Sequence, residues 1–560
     1  MYKKVTIKLN DALFNAAVLG FIRVLDHCNV EYVVDGNCVT INSEVLDNFH
    51  KYYFQALIKA YRRDCSFYKM LKQFEHYSEN VQDETDELKN FFDYAFKNLE
   101  SASYKSGYEI VNGRGNSFSF ADEVKIAKKE KSVQTKLSKL SVIFSNMREH
   151  KEVFLLKNIM YTKINKYWQN KAFLNKGNNK KEIEECFETW ISTGLRELIK
   201  DGYTNPKTGV HCSQCGELFK TGQMESMAWL LDVGVDTSRK VSNYWNFKSD
   251  TNICPICTMI YTCLPLGFTI MGSEGIFINA NYGIDALKKF NGTLESKLDT
   301  AEQAERAGAD SDESKNIGGT LYYSVLNNFM EIVQNTNAEY SIDNVQVIRR
   351  IEDGYSYNVL SKNVLSILRE HSYQLSKLVK ASAKVSKLDW VNLYKETLEA
   401  IWQGRNMYAF LYKVIKQYIS EGNYRLPATA LMNMLIVQKA IQYQGKGGKP
   451  VKDGILYVAR AAGADLREAI GKSRNTSELD NKIKSVSYNL INSLRTVNKQ
   501  NFIDILVRQY IGLGMPTPEI LVKFLSEDDE LFLSLGYAFV LGLNTDKKQI
   551  NEEKAGGEKS

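Results

Sequence analysis

Apolar residues recur at helical spacing through most of this chain, and at strand spacing in only a few short stretches. After a polar, strand-like start at Met1-Tyr2-Lys3-Lys4, Asn10 or Asp11 is placed to cap a helix. Its Leu13, Phe14, Ala17, Val18, Phe21, Ile22 and Leu25 share one face. The run from Tyr32 to Ile41 alternates about Asp35-Gly36 and predicts a β-hairpin. A long helix with Val45, Phe49, Tyr53, Leu57 and Tyr61 on one side follows, then another around Leu88–Phe96. Leu266–Ile270 and Gly275–Ile278 read as buried strands. Val345–Ile351 and Tyr355–Val359, joined by Glu352-Asp353-Gly354, read as a second hairpin. From about Leu388 onward no strand is expected. Helical periodicity dominates there, interrupted at Pro427, at Gly445–Pro450 and at Met515–Pro518.

The pattern predicts an α+β fold: a mixed α/β N-terminal region over 1–200, an inserted subdomain over 201–294 whose paired cysteines Cys212, Cys215, Cys254 and Cys257 suit zinc binding, and a C-terminal all-α helical bundle over 388–545. Between them, 295–387 joins a linker to the second hairpin. Residues 295–319 are rich in Glu, Asp, Ala, Ser and Gly and have no aromatic, so they read as a mobile connection. Thr545 to Ser560 is charged and contains glycine, and the bundle is expected to give way to a disordered tail there, over 546–560. No internal repeat is visible.

With 560 residues, 44% of them hydrophobic, the chain has ample length for a core and for several domains. Its 72 basic and 66 acidic residues leave a net charge of only +6, so any nucleic-acid surface must be a local patch. Nine cysteines in so long a chain suit a reducing cytoplasm better than a disulfide framework. No signal-peptide core and no run of about 18 apolar residues is present, so a soluble cytoplasmic protein without a membrane partner is expected.

Candidate chemistry concentrates in two C-x-x-C knuckles, Cys212–Cys215 and Cys254–Cys257. Four thiolates at tetrahedral corners make a closed, structural Zn²⁺ site. The 38 residues from Gly216 to Ile253 exceed a compact ribbon, so a small subdomain should loop out between the knuckles. Trp229, Leu230, Leu231, Trp245 and Phe247 are available there to pack on the metal knuckles. Gly216 suits a turn needing positive φ, and Pro255 stiffens the second knuckle. His211 and Cys263 are adjacent alternatives to any one ligand, and buried free cysteines are the alternative to a metal site.

A second candidate is the stretch Tyr108–Phe118, where Gly113 and Gly115 flank Arg114 between Asn112 and Asn116. A lysine-rich helix carrying Lys125, Lys128 and Lys129, with Lys131, Lys136 and Lys139, comes next. Such a loop can approach DNA closely; a surface turn beside a solvated charged helix is the alternative reading. No Walker loop, G-x-S-x-G elbow or H-E-x-x-H occurs, and the six histidines lie far apart, which argues against a catalytic site.

The helix Leu13–Leu25, the hairpin after it, the segment Trp168–Asn175, the paired knuckles and the helical C-terminus come in the order found in large subunits of type I-B CRISPR Cascade, CXXC-CXXC family, which the chain resembles. The resemblance spans nearly the whole length, with the knuckles as its specific part. It implies a non-catalytic subunit of a crRNA-guided surveillance complex that recognises the PAM, helps open target DNA, stabilises the R-loop and recruits the helicase-nuclease. Implied partners are crRNA, target double-stranded DNA, the backbone and crRNA-processing subunits, the helicase-nuclease and a small subunit. The small subunit can arise from the same gene by internal initiation. Met407, just after Gly404-Arg405, is the expected start, ahead of Met432 and Met434. A zinc-ribbon nuclease or primase-like enzyme and a zinc-stabilised DNA-binding scaffold are the competing readings.

Overall fold

Ala12–His27 (α1) is a helix buried on every side, from Phe14 to Phe21 without a break. In the computed structural model the described residues are 4–80, 85–200, 208–235, 251–271, 274–280, 282–292, 345–352, 354–379, 381–385, 390–421, 428–444, 454–472 and 475–547. They fall into two compact units, one within 1–295 and 345–358, the other within 359–560. Both are mixed α and β, and the second is chiefly helical.

In the first unit, Lys4–Lys8 (β1), Val33–Asp35 (β2) and Cys38–Asn42 (β3) form an antiparallel sheet in the order β1-β3-β2. The first hairpin is therefore as expected, turning at Gly36 with φ +54°. Of the two candidate caps, Asp11 holds the N–H groups of Leu13 and Phe14 at 2.9 and 3.0 Å. The long helix after the hairpin is broken at Asn48 into Glu44–Asp47 and Phe49–Tyr61, and Leu46 is buried where Val45 was expected. Ser66–Asn80 forms a further helix that was not anticipated.

Small residues on α1 let other backbones come close. A Cβ on Gly20 would lie 2.0 Å from the carbonyl oxygen of Cys263, and one on Gly267 would lie 1.9 Å from that of Ala16. Leu264–Gly267 is accordingly a short helix laid on α1, with Pro265 in its first turn, and not the start of a strand.

Four short strands shape the knuckle region: Val210–His211 (β4) pairs with Leu218–Phe219 (β5), and Glu225–Ser226 (β6) with Asn252–Ile253 (β7). Thr269–Met271 (β8) and Glu274–Asn279 (β9) then join Val345–Ile351 (β10) and Gly354–Leu360 (β11) in a sheet of order β11-β10-β9-β8. The second hairpin thus completes a sheet begun before residue 280 and does not stand in a separate 295–387 segment. Arg350 on β10 is buried, donates to the carbonyl of Lys166 at 2.8 Å, and pairs with Asp232 at 2.8 Å. Among the described residues one hydrophobic core runs from Val5 through Trp168 and Cys254 to Ile348. The mobile connection expected over 295–319 lies outside the described residues.

In the second unit, Ser382–Lys384 (β12) pairs with Trp390–Asn392 (β13), a strand where none was expected. The helices run over Lys362–Glu370, Ser372–Leu378, Leu393–Gln403, Tyr408–Glu421, Ala428–Gln444, Gly454–Gly471, Thr476–Arg495, Lys499–Gly512, Ile520–Ser526 and Asp529–Leu543. The last is buried from Leu531 to Leu543 and meets Gly454–Gly471 so closely that a Cβ on Gly542 would lie 1.8 Å from the carbonyl oxygen of Arg460. The expected tail is anchored at its start: Thr545 is buried, Asp546 binds Arg467 at 2.9 Å, and Lys547 binds Asp465 and Glu468. Residues 548–560 lie outside the described set.

Candidate metal centre and the cavity beside it

Each knuckle is built by its own backbone. Cys212 leaves β4 with its N–H on the carbonyl of Glu217, while the Gly216 N–H returns to the Cys212 carbonyl, both at 2.9 Å. That tight return needs the positive φ of +77° at Gly216, as its place in the sequence implied. Cys254 caps the helix Pro255–Thr262, with Pro255 in its first turn. The Cys254 N–H points at the Cys212 sulfur at 3.3 Å, and that of Cys257 at the Cys254 sulfur at 3.5 Å. Backbone donors aimed at sulfur favour the thiolate form.

The two knuckles are stitched together and to the start of the chain. Ser213 donates from N and Oγ to the carbonyl of Asn252, at 2.9 and 2.6 Å. The Tyr261 hydroxyl donates to Gln214 at 2.8 Å, and Asn10 donates from Nδ2 to the Gln214 carbonyl at 2.7 Å. As a result the sulfurs of Cys212, Cys215, Cys254 and Cys257 all lie within 4.8 Å of one another, with Cys215 and Cys254 at 3.9 Å. A tetrahedron with arms of about 2.3 Å has edges of roughly 3.8 Å, so the four sulfurs fit an ion such as zinc.

Electrostatics points the same way. Hydrogen bonds from Cys215, and then from Cys254 and Cys257, pull the Cys212 thiol far below its ordinary range, while the sulfurs of Cys212, Cys215 and Cys254 push Cys257 far up. Four sulfurs this close cannot all carry charge alone; a central cation removes the conflict. Cys212, Cys254 and Cys257 are buried and Cys215 is exposed. Both alternative ligands stand apart: His211 holds its Nδ1 against the Gly216 carbonyl at 2.8 Å, and Cys263 is fully buried against Met259.

The described part of the inter-knuckle segment does not serve only the knuckles. Trp229 packs edge-on against Trp168 and Trp190, at 5.8 and 5.0 Å between ring centres, and the Leu231 N–H donates to the Tyr167 carbonyl. Trp245 and Phe247 lie outside the described residues.

The second candidate stretch is more helical than expected. Asn112 and Gly113 end the helix Ala102–Gly113, Arg114 caps it, and only Gly115, with φ +88°, begins the loop. Arg114 is paired with Glu182, Asn116 contacts His150 at 3.1 Å and caps the Phe118 N–H, Lys125 pairs with Asp122, and Lys128 with Glu100. Lys129 has no ion-pair partner among the described residues. Met407 is fully buried just before the helix Tyr408–Glu421, its N–H on Gln438 at 2.6 Å.

One feature went unread in the sequence. A cavity of about 680 Å³ lies beside the metal centre, lined by Lys4–Asn10, by Glu217–Lys220 and by Cys215, Cys254 and Cys257. The alternation of charge and bulk in Lys4-Val5-Thr6-Ile7-Lys8 was its only signal.

Residues 206–269, which hold both knuckles, match the sequence model of a family described as CRISPR-associated protein (Cas_CXXC_CXXC). No curated protein and no solved structure matches the chain. The match supports a CRISPR-associated CXXC-CXXC protein, with a four-cysteine cluster able to hold a metal ion.

Proposed function

We propose that this chain is the non-catalytic large subunit of a type I-B Cascade, a crRNA-guided complex that recognises a PAM, helps open target DNA, stabilises the R-loop and recruits the helicase-nuclease. The observation that carries this reading is that the family match falls on the segment that folds into the four-sulfur cluster. In this role Zn²⁺ on Cys212, Cys215, Cys254 and Cys257 is structural: it ties β4 and β5 to the helix Pro255–Thr262. When bound, the ion supplies cross-linking and charge neutralisation, and no chemical step.

Among the described residues, no helix is long and apolar enough to cross a membrane. In guided effectors base pairing reads the sequence, and protein reads only the short flanking motif and duplex shape. Asn112–Asn116, with Lys125, Lys128 and Lys129, is the proposed duplex contact. Arg114 there would exchange Glu182 for a base edge or phosphate.

The test is to express the tagged chain with the neighbouring genes of its source and analyse what co-purifies. Retention of crRNA, backbone subunits and one zinc per chain is expected. Purified chain that cleaves DNA unaided, or that retains no crRNA, overturns the proposal.

A further inference from the structure

The cavity beside the metal centre is framed by two open strand edges, a feature independent of the function proposed above. Among the described residues β1 is the outermost strand of its sheet and pairs only with β3. Its register shows which backbone groups remain open. The Leu9 N–H donates to the Asn37 carbonyl, so alternate residues Ile7 and Val5 also face β3. Lys4, Thr6 and Lys8 therefore turn their N–H and C=O groups to the other edge, along the cavity. The contact of Thr6 Oγ1 with Thr40 Oγ1 at 3.0 Å agrees, since side chains approach most closely at such non-hydrogen-bonded pairs.

Also lining the cavity, β5 belongs to its own two-stranded sheet. The Cys212 N–H binds the Glu217 carbonyl, so in this register Leu218 directs its N–H and C=O away from β4. Val5, Ile7, Phe14, Leu198, Phe219 and Ile256 make up the apolar part of the cavity lining, its apolar floor. Lys4 and Lys8 are exposed, on the opposite face of β1 from Val5 and Ile7, and among the described residues neither has a carboxylate partner.

The geometry points to a docking groove for an extended peptide of another protein, which adds to β1 as an antiparallel strand and carries carboxylates opposite Lys4 and Lys8. The register dictates its pattern. Residues opposite Lys4, Thr6 and Lys8 share the solvent face, whereas those opposite Val5 and Ile7 enter the apolar floor. The recognised segment is thus acidic, apolar, any residue, apolar, acidic. Main-chain hydrogen bonds supply affinity and alternate side chains supply specificity, as in other strand-addition sites. A cavity of about 680 Å³ is of the right order for a short strand. A single-stranded nucleic acid fits less well: it needs a succession of ring faces on which bases stack, and the lining holds only two aromatics, Phe14 and Phe219.

The experiment uses the full chain with its metal content verified, and fluorescent ten-residue peptides centred on Glu-Val-Thr-Val-Glu or on Lys-Val-Thr-Val-Lys. Anisotropy should show binding of the first and not the second. The double variant Lys4→Glu, Lys8→Glu should weaken the acidic peptide roughly tenfold, as loss of two exposed cross-strand ion pairs implies, and should gain affinity for the basic one. That exchange of preference distinguishes recognition from misfolding. A photo-crosslinker at the central Thr should label residues 4–10 or 217–220. No binding of the acidic peptide, an unchanged preference in the double variant, labelling elsewhere, or displacement by a single-stranded oligonucleotide alone each overturns the proposal.

Discussion

Arg114 and Glu182 are joined by two parallel hydrogen bonds, Nε to Oε1 and Nη2 to Oε2, both 2.7 Å long. The hydrogen bonds from Arg114 hold the Glu182 carboxyl below its ordinary range. Whatever stability the pair gives is present above the usual carboxylate value and is lost as pH falls through the lowered one. With side chains 44% and 42% exposed, that contribution is at most about 1 kcal/mol. Arg114→Ala should therefore barely move the melting temperature. If Arg114 reads a base, the same change should remove about 1–3 kcal/mol of discrimination between targets with good and bad flanking motifs. Lys125→Ala, Lys128→Ala and Lys129→Ala should instead weaken all targets alike and flatten the salt dependence. Unchanged motif preference in Arg114→Ala would place the reader elsewhere.

The metal centre makes a prediction of its own. Cys254 closes the cluster and caps a helix, so Cys254→Ser should drop the zinc content below one per chain and loosen 208–263 to proteolysis. Structural zinc binds with about 10–16 kcal/mol of apparent free energy in small peptides, enough to dominate local order. Acid should do the same, because each ligand must lose its proton to bind. Metal analysis across pH 7 to 4, with limited proteolysis in parallel, tests both; protein without zinc at pH 7 defeats the assignment.

Close backbone crossings predict large effects from one methyl group. Gly267→Ala must push α1 away from the helix Leu264–Gly267, since the new Cβ meets the Ala16 carbonyl at 1.9 Å. A loss of about 1–3 kcal/mol or more is expected. Gly542→Ala should do the same in the other unit, at the Arg460 carbonyl. At Gly113 nothing lies within 4 Å and the backbone is helical, so Gly113→Ala should stabilise by about 0.4–1 kcal/mol. Thermal melts of the three variants should separate cleanly.

These crossings also show what the sequence could and could not convey. The four cysteines, the Asp11 cap and the hairpins at 33–42 and 345–360 follow from local spacing and turn chemistry, and those were legible. Gly20 and Gly267 meet across 247 positions, and Arg114 and Glu182 across 68, so no local period encodes either contact. Burial on all sides also hides the stripe by which a helix is recognised, which is why α1 showed only one of its apolar faces. Trp390–Asn392 is too short for alternation to stand out beside helical neighbours. Thr545 sits in a charged stretch yet is buried, because the neighbouring Asp546 and Lys547 find partners on the helix Gly454–Gly471.

Lys157 gives a prediction in pH. It is buried, donates to the Asn179 carbonyl at 3.3 Å, and burial lowers its pKa to about 8. Folding thus weakens its hold on a proton, so between about pH 8 and its ordinary value of 10.5 the unfolded chain binds more protons. Its contribution to stability should rise with pH across that window. Lys157→Met should abolish the rise and leave the protein as stable or more so at pH 7. Melting curves at pH 7, 8.5 and 10 decide it; parallel profiles for the two proteins reject the assignment.

The last prediction concerns a second product from the same gene, and the structure bears on where it would begin. Gly404, with φ +61°, closes the helix Leu393–Gln403, and Met407 stands at the entry of Tyr408–Glu421. A chain started there has 154 residues, 407 to 560, and keeps that helix whole. It also keeps Tyr408, whose hydroxyl lies 2.6 Å from both the Glu530 carbonyl and Ser534 and 3.0 Å from Gln442. Buried Leu411, Val414 and Ile415 stay with it, as does half-buried Phe410. A start at Met432 or Met434 would discard all of these and cut into Ala428–Gln444, removing the Tyr408 hydroxyl from the buried Ser534 on the final helix. Gly404-Arg405 can be encoded in purines alone, as a ribosome-binding site requires, whereas Leu426–Leu431 forces pyrimidines before Met432. A free helical fragment beginning at Met407, lining the opened DNA strand as a small subunit, is the expected product. Silent recoding of Gly404-Arg405 should remove a short co-purifying species while leaving the long chain intact. Intact-mass analysis that finds a different first residue, or a species that survives the recoding, counts against it.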